Sequence, residues 1–168
     1  MHESLDPSPW VVRWAPLVTR GPVLDVASGS GRHSRVFEGL EVIAVDRERQ
    51  SIPGVRFVQA DLEDGSPWPF AGQRFGAIVV TNYLHRPLLP LLRDSLEAGG
   101  VLIYETFMAG NERYGKPSNP NFLLKPGELL QAFAALTVVA FEQGTTGTAV
   151  MQRICVIRAD ASSARIRT

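Results

Sequence analysis

Short hydrophobic runs separated by polar turns recur along the chain and predict alternating strands and connections. Five of these runs read as buried strands, at residues 23–27, 41–46, 55–61, 74–83 and 101–107. Each is of strand length and is bounded by Gly, Pro or charged residues. Because helices or short connections separate them, they predict a mostly parallel sheet with helices on its faces.

Helix signals lie between these runs. Four helices are predicted: one within residues 1–20, and others at 32–40, 87–98 and 126–136. Ser8 and Pro9 suit the N-cap and first position of the first helix. Gly99 and Gly100 should end the third. The connection over residues 47–54 is too short for a full crossover helix, so a turn is expected there.

The end of the chain follows a different pattern. Two apolar runs, at 137–143 and 149–159, are joined only by the sequence GTTGT. So short a connection without a helix requires antiparallel neighbours. The fold class is therefore α/β, with a doubly wound, mostly parallel seven-stranded sheet and a C-terminal antiparallel hairpin. We expect one domain over residues 1–168, with a flexible tail at 160–168.

Composition excludes several kinds of site. The 168 residues contain 17 basic and 17 acidic side chains, so no net positive charge favours a nucleic-acid partner. Cys155 is the single cysteine, and His2 and His33 lack metal-ligand spacing, so no metal site is expected. There is no signal-peptide pattern and no apolar run of membrane-spanning length, which favours a cytoplasmic protein without a membrane partner.

The stretch VLDVASGSGRHS, residues 23–34, combines a strand, a carboxylate and a glycine loop. Loops at the carboxyl end of such a sheet bind ligands, and both a dinucleotide and S-adenosylmethionine would fit. Ser34 replaces the third glycine of the dinucleotide fingerprint. Asp25 suits a cationic sulfonium and ammonium better than a pyrophosphate, although it could also serve to hold loop amides. Asp46 and Asp61 end the next two strands, where carboxylates can accept from ribose hydroxyls and an adenine amine.

These motifs resemble the class I S-adenosylmethionine-dependent methyltransferases over about residues 20–158. VLDVASGSGR is similar to the family's first motif, with Ala27 in place of its first glycine, and EVIAVD and FVQADLED are similar to the next two strands. RFGAIVVTNYLHRPLLPLL and LEAGGVLIYETF are similar to the fourth and fifth. The compact size and the G-R-x-S opening also resemble small-molecule methyltransferases of the tellurite-resistance and thiopurine types.

The resemblance implies a cofactor and the residues that bind it. The cofactor would be S-adenosyl-L-methionine, with S-adenosyl-L-homocysteine as the product. Gly29 and Gly31 would border its methionine portion, and the Thr81 carbonyl would accept from its ammonium. The full implied set is Asp25, Ala27, Gly29, Gly31, Asp46, Arg47, Asp61, Leu62, Thr81 and Asn82.

The methyl acceptor should lie beyond the fourth and fifth strands, where His85, Tyr83 and Glu105 are the catalytic candidates. A base is needed only if the acceptor loses a proton early. His85 could instead be a helix-entry residue, and Tyr83 a half-buried aromatic. Glu105 could form a structural ion pair with Arg113 or another loop cation.

Substrate contacts are predicted from a polar insert and from the first helix. The insert at 108–124 reads as a substrate-side loop whose cations would suit an anionic acceptor, although it could also be a solvated loop. Trp10 and Trp14 share one helix face and could either cover the site or dock the helix on the sheet. The predicted substrate-binding set is Trp10, Trp14, Arg86, Arg113, Tyr114 and Lys116.

We therefore predict methyl transfer to a small-molecule acceptor by in-line displacement. Two alternatives remain open at this point: a nucleotide-dependent oxidoreductase, and a non-catalytic module that binds S-adenosylmethionine. An RNA methyltransferase would need a basic surface, which the neutral composition does not indicate.

Overall fold

Seven strands form a single sheet in the order β3-β2-β1-β4-β5-β7-β6. The computed structural model describes residues 6–159, so the predicted tail at 160–168 and residue His2 lie outside the described residues. The strands are β1 (Val23–Val26), β2 (Val42–Asp46), β3 (Arg56–Gln59), β4 (Phe75–Thr81), β5 (Leu96–Phe107), β6 (Thr137–Thr145) and β7 (Val150–Ile157).

The predicted sheet class is confirmed by the pairing of these strands. β1 to β5 pair in parallel, and β7 runs antiparallel between β5 and β6. β2 and β3 lie on one side of β1, whereas β4 and β5 lie on the other. The order therefore reverses between β1 and β4, and ligands bind at such a reversal in open α/β sheets.

The helices are shorter than predicted. The α-helices are α1 (Pro9–Trp14), α2 (Leu89–Asp94) and α3 (Glu128–Ala132). Single 3-10 turns occupy Ala15–Leu17, Ser34–Phe37, Arg86–Leu88, Asn111–Arg113 and Pro120–Phe122. No helix within residues 6–159 has the length and apolarity needed to cross a membrane.

Three predicted helices need correction. The helix expected at 32–40 is only the 3-10 turn, because Glu38 is already extended and Gly39 has a φ of +94°. The helix expected at 87–98 ends at Asp94, and Gly99 and Gly100 lie within β5 rather than ending a helix. Both glycines form backbone hydrogen bonds with Arg158, which extends the sheet. The helix expected at 126–136 covers only α3.

Two apolar cores cover the two faces of the sheet. Leu24 and Val26 of β1 point into a large core that includes residues of α2 and α3, whereas Val23 points into a smaller core beneath α1. Between β3 and β4, where the chain has no helix, an aromatic series covers the large core instead. Trp68, Phe70 and Phe75 pack edge to face with ring centroids 5.2 and 5.6 Å apart.

The close approach of two backbone segments at Gly76 gives a stability prediction. A Cβ at Gly76 would lie 2.1 Å from the Arg20 carbonyl oxygen, which is backbone and cannot move aside. We expect Gly76→Ala to lower the free energy of unfolding by about 3 kcal/mol or more. Gly72→Ala is the matched control, because its Cβ meets open space and only its φ of +80° is unfavourable, at about 1 kcal/mol. Urea denaturation of both variants measures the difference, and equal losses would contradict the assignment.

Candidate functional site

A cavity of about 430 Å³ lies at the carboxyl edge of the sheet, beside the reversal between β1 and β4. We call it the first cavity. Its walls come from the ends of β1, β2, β4 and β5 and from the segment after β3. Six of the ten residues predicted to bind a cofactor line it, namely Ala27, Asp46, Arg47, Asp61, Leu62 and Asn82. Asp25, Gly29, Gly31 and Thr81 are not among its lining residues.

Ala27 and Asn82 share a special backbone conformation at this edge. Among residues 6–159, they are the non-glycine residues with a positive φ, and each has a φ of 54°. The left-handed conformation costs a side-chain-bearing residue about 1–2 kcal/mol. Ala27 stands where the family motif has glycine, so the turn that glycine would make is preserved despite the substitution. The ends of two adjacent strands are thus both bent sharply at the cavity wall.

The Asp46 carboxylate fixes the glycine loop in place. Its two oxygens accept from the Gly29 N–H at 2.8 Å and from the Glu48 N–H at 2.9 Å. Asp46 is half-buried and lines the first cavity, and each of its oxygens has the capacity to accept a further hydrogen bond. Asp61, on the same wall, accepts from the Glu63 N–H at 2.9 Å. Carboxylates that are held in this way are positioned to accept hydrogen bonds from hydroxyls or amines.

Gly31 is required by packing within the protein. A Cβ at this position would lie 2.7 Å from the Ile52 side chain, and the φ of Gly31 is +87°. Gly31 does not line the first cavity, and the nearby Ile52 side chain and the positive φ both favour glycine at this position.

Asp25 is buried beneath the glycine loop and is only 3% exposed. It accepts a hydrogen bond from the Ser34 hydroxyl at 2.6 Å, so it holds the turn that follows the loop. Burial raises the pKa of the carboxyl group to about 7, partly offset by its hydrogen bonds with Ser34. The structure therefore favours the holding role for Asp25, and the exposed acids supply the negative charge at the cavity.

His33 is a buried side chain that sequence reasoning passed over. Its Nε2 accepts from the Ser8 N–H at 3.0 Å, so in the neutral ring Nδ1 carries the proton. Nδ1 lies 3.3 Å from the Thr81 hydroxyl, to which it can donate. Burial, with a contribution from the Arg32 charge, lowers the pKa of His33 to about 4. His33 thus joins the N-terminal segment to the end of β4.

Of the predicted catalytic residues, Tyr83 and His85 both lie beside the Glu63 carboxylate, whereas Glu105 lies apart from them. Tyr83 lines the first cavity, where its hydroxyl donates to Glu63 at 3.2 Å, and burial followed by the Glu63 charge raises its pKa. His85 lies 3.6 Å from the same carboxylate and lines a neighbouring cavity of about 730 Å³, which shares Asp61, Leu62 and Glu63 with the first cavity.

Glu105 is paired across the sheet. Arg153 lies opposite it in β7 and donates through Nε at 2.5 Å, while the Ser8 hydroxyl donates to the other oxygen at 3.0 Å. The partner is therefore Arg153 rather than Arg113, which corrects the predicted loop cation. These contacts favour a structural ion pair between Glu105 and Arg153 over a catalytic role for Glu105.

Several predicted substrate contacts are engaged elsewhere. Arg86 pairs with Glu128 at 2.7 Å and donates to the Asn121 and Leu123 carbonyls, so it ties the insert to α3. Three other predicted contacts are exposed and do not line the first cavity, namely Arg113, Tyr114 and Lys116. The insert contributes Pro117 and Phe122 to the wall of that cavity instead.

The two tryptophans of α1 dock the helix on the sheet. Trp10 is 3% exposed and donates its indole N–H to the Ile154 carbonyl at 3.2 Å. Trp14 packs edge-on against it with ring centroids 5.8 Å apart. Their burial against the sheet leaves Trp10 no surface for a substrate, so its predicted substrate role is not supported.

The raised pKa of Asp25 generates a prediction about stability and pH. The folded protein keeps a proton on Asp25 up to about pH 7, whereas the unfolded chain releases it near pH 3.8. The contribution of Asp25 to the free energy of unfolding therefore falls as the pH rises from about 4 to about 7. Asp25→Asn has no such proton, so we expect its free energy of unfolding to rise relative to wild type across that range.

The lowered pKa of His33 makes its contribution to the free energy of unfolding increase with pH. This contribution is present in both wild type and Asp25→Asn, so it cancels when their free energies of unfolding are subtracted. Urea denaturation at pH 4.5, 6 and 7.5 measures the trend, and the exposed Glu38→Gln is the control for removal of one carboxyl group. A constant difference between Asp25→Asn and wild type would contradict the prediction.

Comparison with known proteins establishes the fold. No protein-family model and no curated protein matches the chain. Among solved structures, TehB from Haemophilus influenzae is similar at a TM-score of 0.73 and 16% identity, over 92% of this chain and 63% of that chain. The chain thus spans less than two thirds of TehB.

Two further similar structures contain bound ligands. The N-methyltransferase NodS from Bradyrhizobium japonicum WM9, in complex with S-adenosyl-L-homocysteine, is similar at a TM-score of 0.64 and 15% identity, over 93% of this chain and 91% of that chain. The 1,6-didemethyltoxoflavin-N1-methyltransferase from Burkholderia thailandensis holds bound 1,6-didemethyltoxoflavin and S-adenosylhomocysteine. It is similar at a TM-score of 0.61 and 21% identity, over 90% of this chain and 77% of that chain. The chain therefore has the Rossmann-like methyltransferase fold.

Proposed function

We propose that this protein transfers a methyl group from S-adenosyl-L-methionine to a small molecule and releases S-adenosyl-L-homocysteine. The observation that carries the proposal is the first cavity, where Asp46 ends β2 and Asp61 follows the neighbouring strand β3 on one wall. The Asp46 carboxylate would accept from the ribose hydroxyls, and Asp61 with Leu62 would border the adenine. Two of the similar structures are methyltransferases that hold the same product, which supports this assignment.

The shape of the glycine loop argues against a dinucleotide cofactor. A dinucleotide places its pyrophosphate on the N-terminus of an α-helix, where backbone N–H groups and the helix dipole favour negative charge. Here the loop leads into the 3-10 turn Ser34–Phe37, which has only four residues. The nearby Asp46, Asp61 and Glu63 would also repel a pyrophosphate. This arrangement favours a cationic ligand and weakens the oxidoreductase alternative.

The chain's own residues would position the reactants and exclude water. The sulfonium supplies an activated methyl group, so the protein chiefly aligns the donor and the acceptor. Glu105 does not suit the role of general base, because both of its oxygens are engaged by Arg153 and Ser8. Tyr83 donates a hydrogen bond from its hydroxyl to Glu63 and has a raised pKa, so it suits a wall of the cavity better than a base.

Calorimetric titration tests the cofactor assignment. We expect S-adenosyl-L-homocysteine to bind at about micromolar affinity and NADH not to bind. Release of S-adenosyl-L-homocysteine from S-adenosyl-L-methionine in the presence of an acceptor panel then separates an enzyme from a binding module. Binding of NADH alone would overturn the proposal.

A substitution at the end of β2 tests the ribose contact. Asp46→Asn keeps an oxygen for the Gly29 N–H but removes the charge and one acceptor, so we expect about tenfold weaker binding of S-adenosyl-L-homocysteine. Glu48→Gln is the matched control, because its side chain is 75% exposed and does not line the first cavity. Unchanged affinity in Asp46→Asn would show that the ribose is bound elsewhere.

A further inference from the structure

A second cavity of about 380 Å³ opens on the α1 side of the same sheet edge. Its walls are the segment Asp6–Pro9, the ends of β5 and β7, and the turn that joins β6 to β7. The residue that it shares with the first cavity is Asn82. Asn82 borders both spaces, so the two cavities adjoin at the end of β4. The volume is in the range that holds a small molecule.

Arg153 gives this cavity a binding group. Its Nε donates to Glu105, but its two terminal nitrogens make no hydrogen bond within residues 6–159. The side chain is 29% exposed and lines the second cavity. A guanidinium whose outer nitrogens are unengaged can hold a carboxylate through two parallel hydrogen bonds.

Two arginines and two acids line the cavity, and both oxygens of Glu105 are already engaged. Arg32 also lines it, and one of its terminal nitrogens donates to the Asp6 carbonyl at 3.2 Å. Of the two acids on the walls, Asp6 is engaged in an interaction of its own, and Glu105 uses one oxygen for Ser8 and the other for Arg153. Met151 and Ala149 supply apolar surface beside the arginines.

Buried hydrogen bonds hold the wall of this cavity in place. Ser8 donates its N–H to His33 and its hydroxyl to Glu105, and the same hydroxyl accepts from the Trp10 N–H at 3.2 Å. Ser8 is 6% exposed and is the N-cap of α1. The segment Asp6–Pro9 is therefore fixed against the ends of β4 and β5, so the second cavity is formed before a ligand binds.

We propose that the second cavity binds the methyl acceptor, and that the acceptor is a small molecule with a carboxylate held by Arg153 and Arg32. This inference rests on the proposed function, because it takes the first cavity to hold the methyl donor. The carboxylate contacts the arginines, and the rest of the acceptor extends toward Asn82.

Benzoate and benzamide test the proposal, because they share one shape and differ in charge. Each is titrated into ¹⁵N-labelled protein saturated with S-adenosyl-L-homocysteine, and the amide signals of Asn82, Ala149 and Met151 are followed. We expect benzoate to shift these signals and benzamide to bind at least about tenfold more weakly. Equal binding of the two, or no shift with benzoate, would overturn the proposal.

Substitutions locate the binding group. Arg153→Gln would leave Glu105 buried without its partner, so the double variant Glu105→Gln with Arg153→Gln removes both charges together. We expect this variant, and to a smaller extent Arg32→Gln, to lose benzoate binding. Arg56→Gln, at the opposite edge of the sheet, is the matched control and should bind benzoate as wild type does.

A double variant that keeps benzoate binding would place the anion elsewhere and contradict the proposal. The prior titration with S-adenosyl-L-homocysteine separates this failure from that of the proposed function. If that ligand does not bind, the donor assignment fails, while the benzoate titration of the unliganded protein still tests the anion site.

Discussion

The dominant constraint on this chain is that a seven-stranded sheet has two apolar faces, and the described helices are too short to cover them. The three α-helices have six, six and five residues. Other groups therefore complete the cores: the aromatic series Trp68, Phe70 and Phe75 on one face, and the tryptophans of α1 on the other. Covering the sheet with loops and side chains also leaves clefts at its carboxyl edge, where both cavities lie.

The same shortage of helix changes how the glycine loop is held. In a typical α/β fold the following helix supports such a loop, and its dipole favours anions. Here two carboxylates do the holding, with Asp46 on Gly29 and Asp25 on Ser34. Asp25 is buried, which raises its pKa to about 7, whereas Asp46 is half-buried and lines the first cavity. An acid-supported loop is better suited to a cationic ligand than a helix-supported one.

The strands and their order of appearance could be predicted from sequence because continuous apolar runs of strand length are unambiguous when turns bound them. The lengths of the helices could not be predicted, because a glycine can end a helix or lie within a strand according to its tertiary contacts. Gly99 and Gly100 lie within β5 and form backbone hydrogen bonds with Arg158. The wall acids Asp46 and Asp61 were predictable because strand ends in a parallel sheet meet at one edge. The acceptor side was not, since it depends on contacts between distant parts of the chain.

Two such contacts explain the residues that were missed. Arg153 faces Glu105 because of the register between β5 and β7, which neither strand shows alone. His33 meets Ser8, 25 residues earlier, and Thr81, 48 residues later. A lone histidine after a glycine loop carries no pattern that identifies these partners.

These contacts form one continuous series from Thr81 through His33, Ser8 and Glu105 to Arg153. It begins at the end of β4, beside the first cavity, and ends at the arginine of the second. His33 remains neutral at physiological pH because burial lowers its pKa to about 4, so its Nε2 stays available to the Ser8 N–H. The series therefore joins the end of β4 to the wall of the second cavity through side chains that are far apart in the sequence.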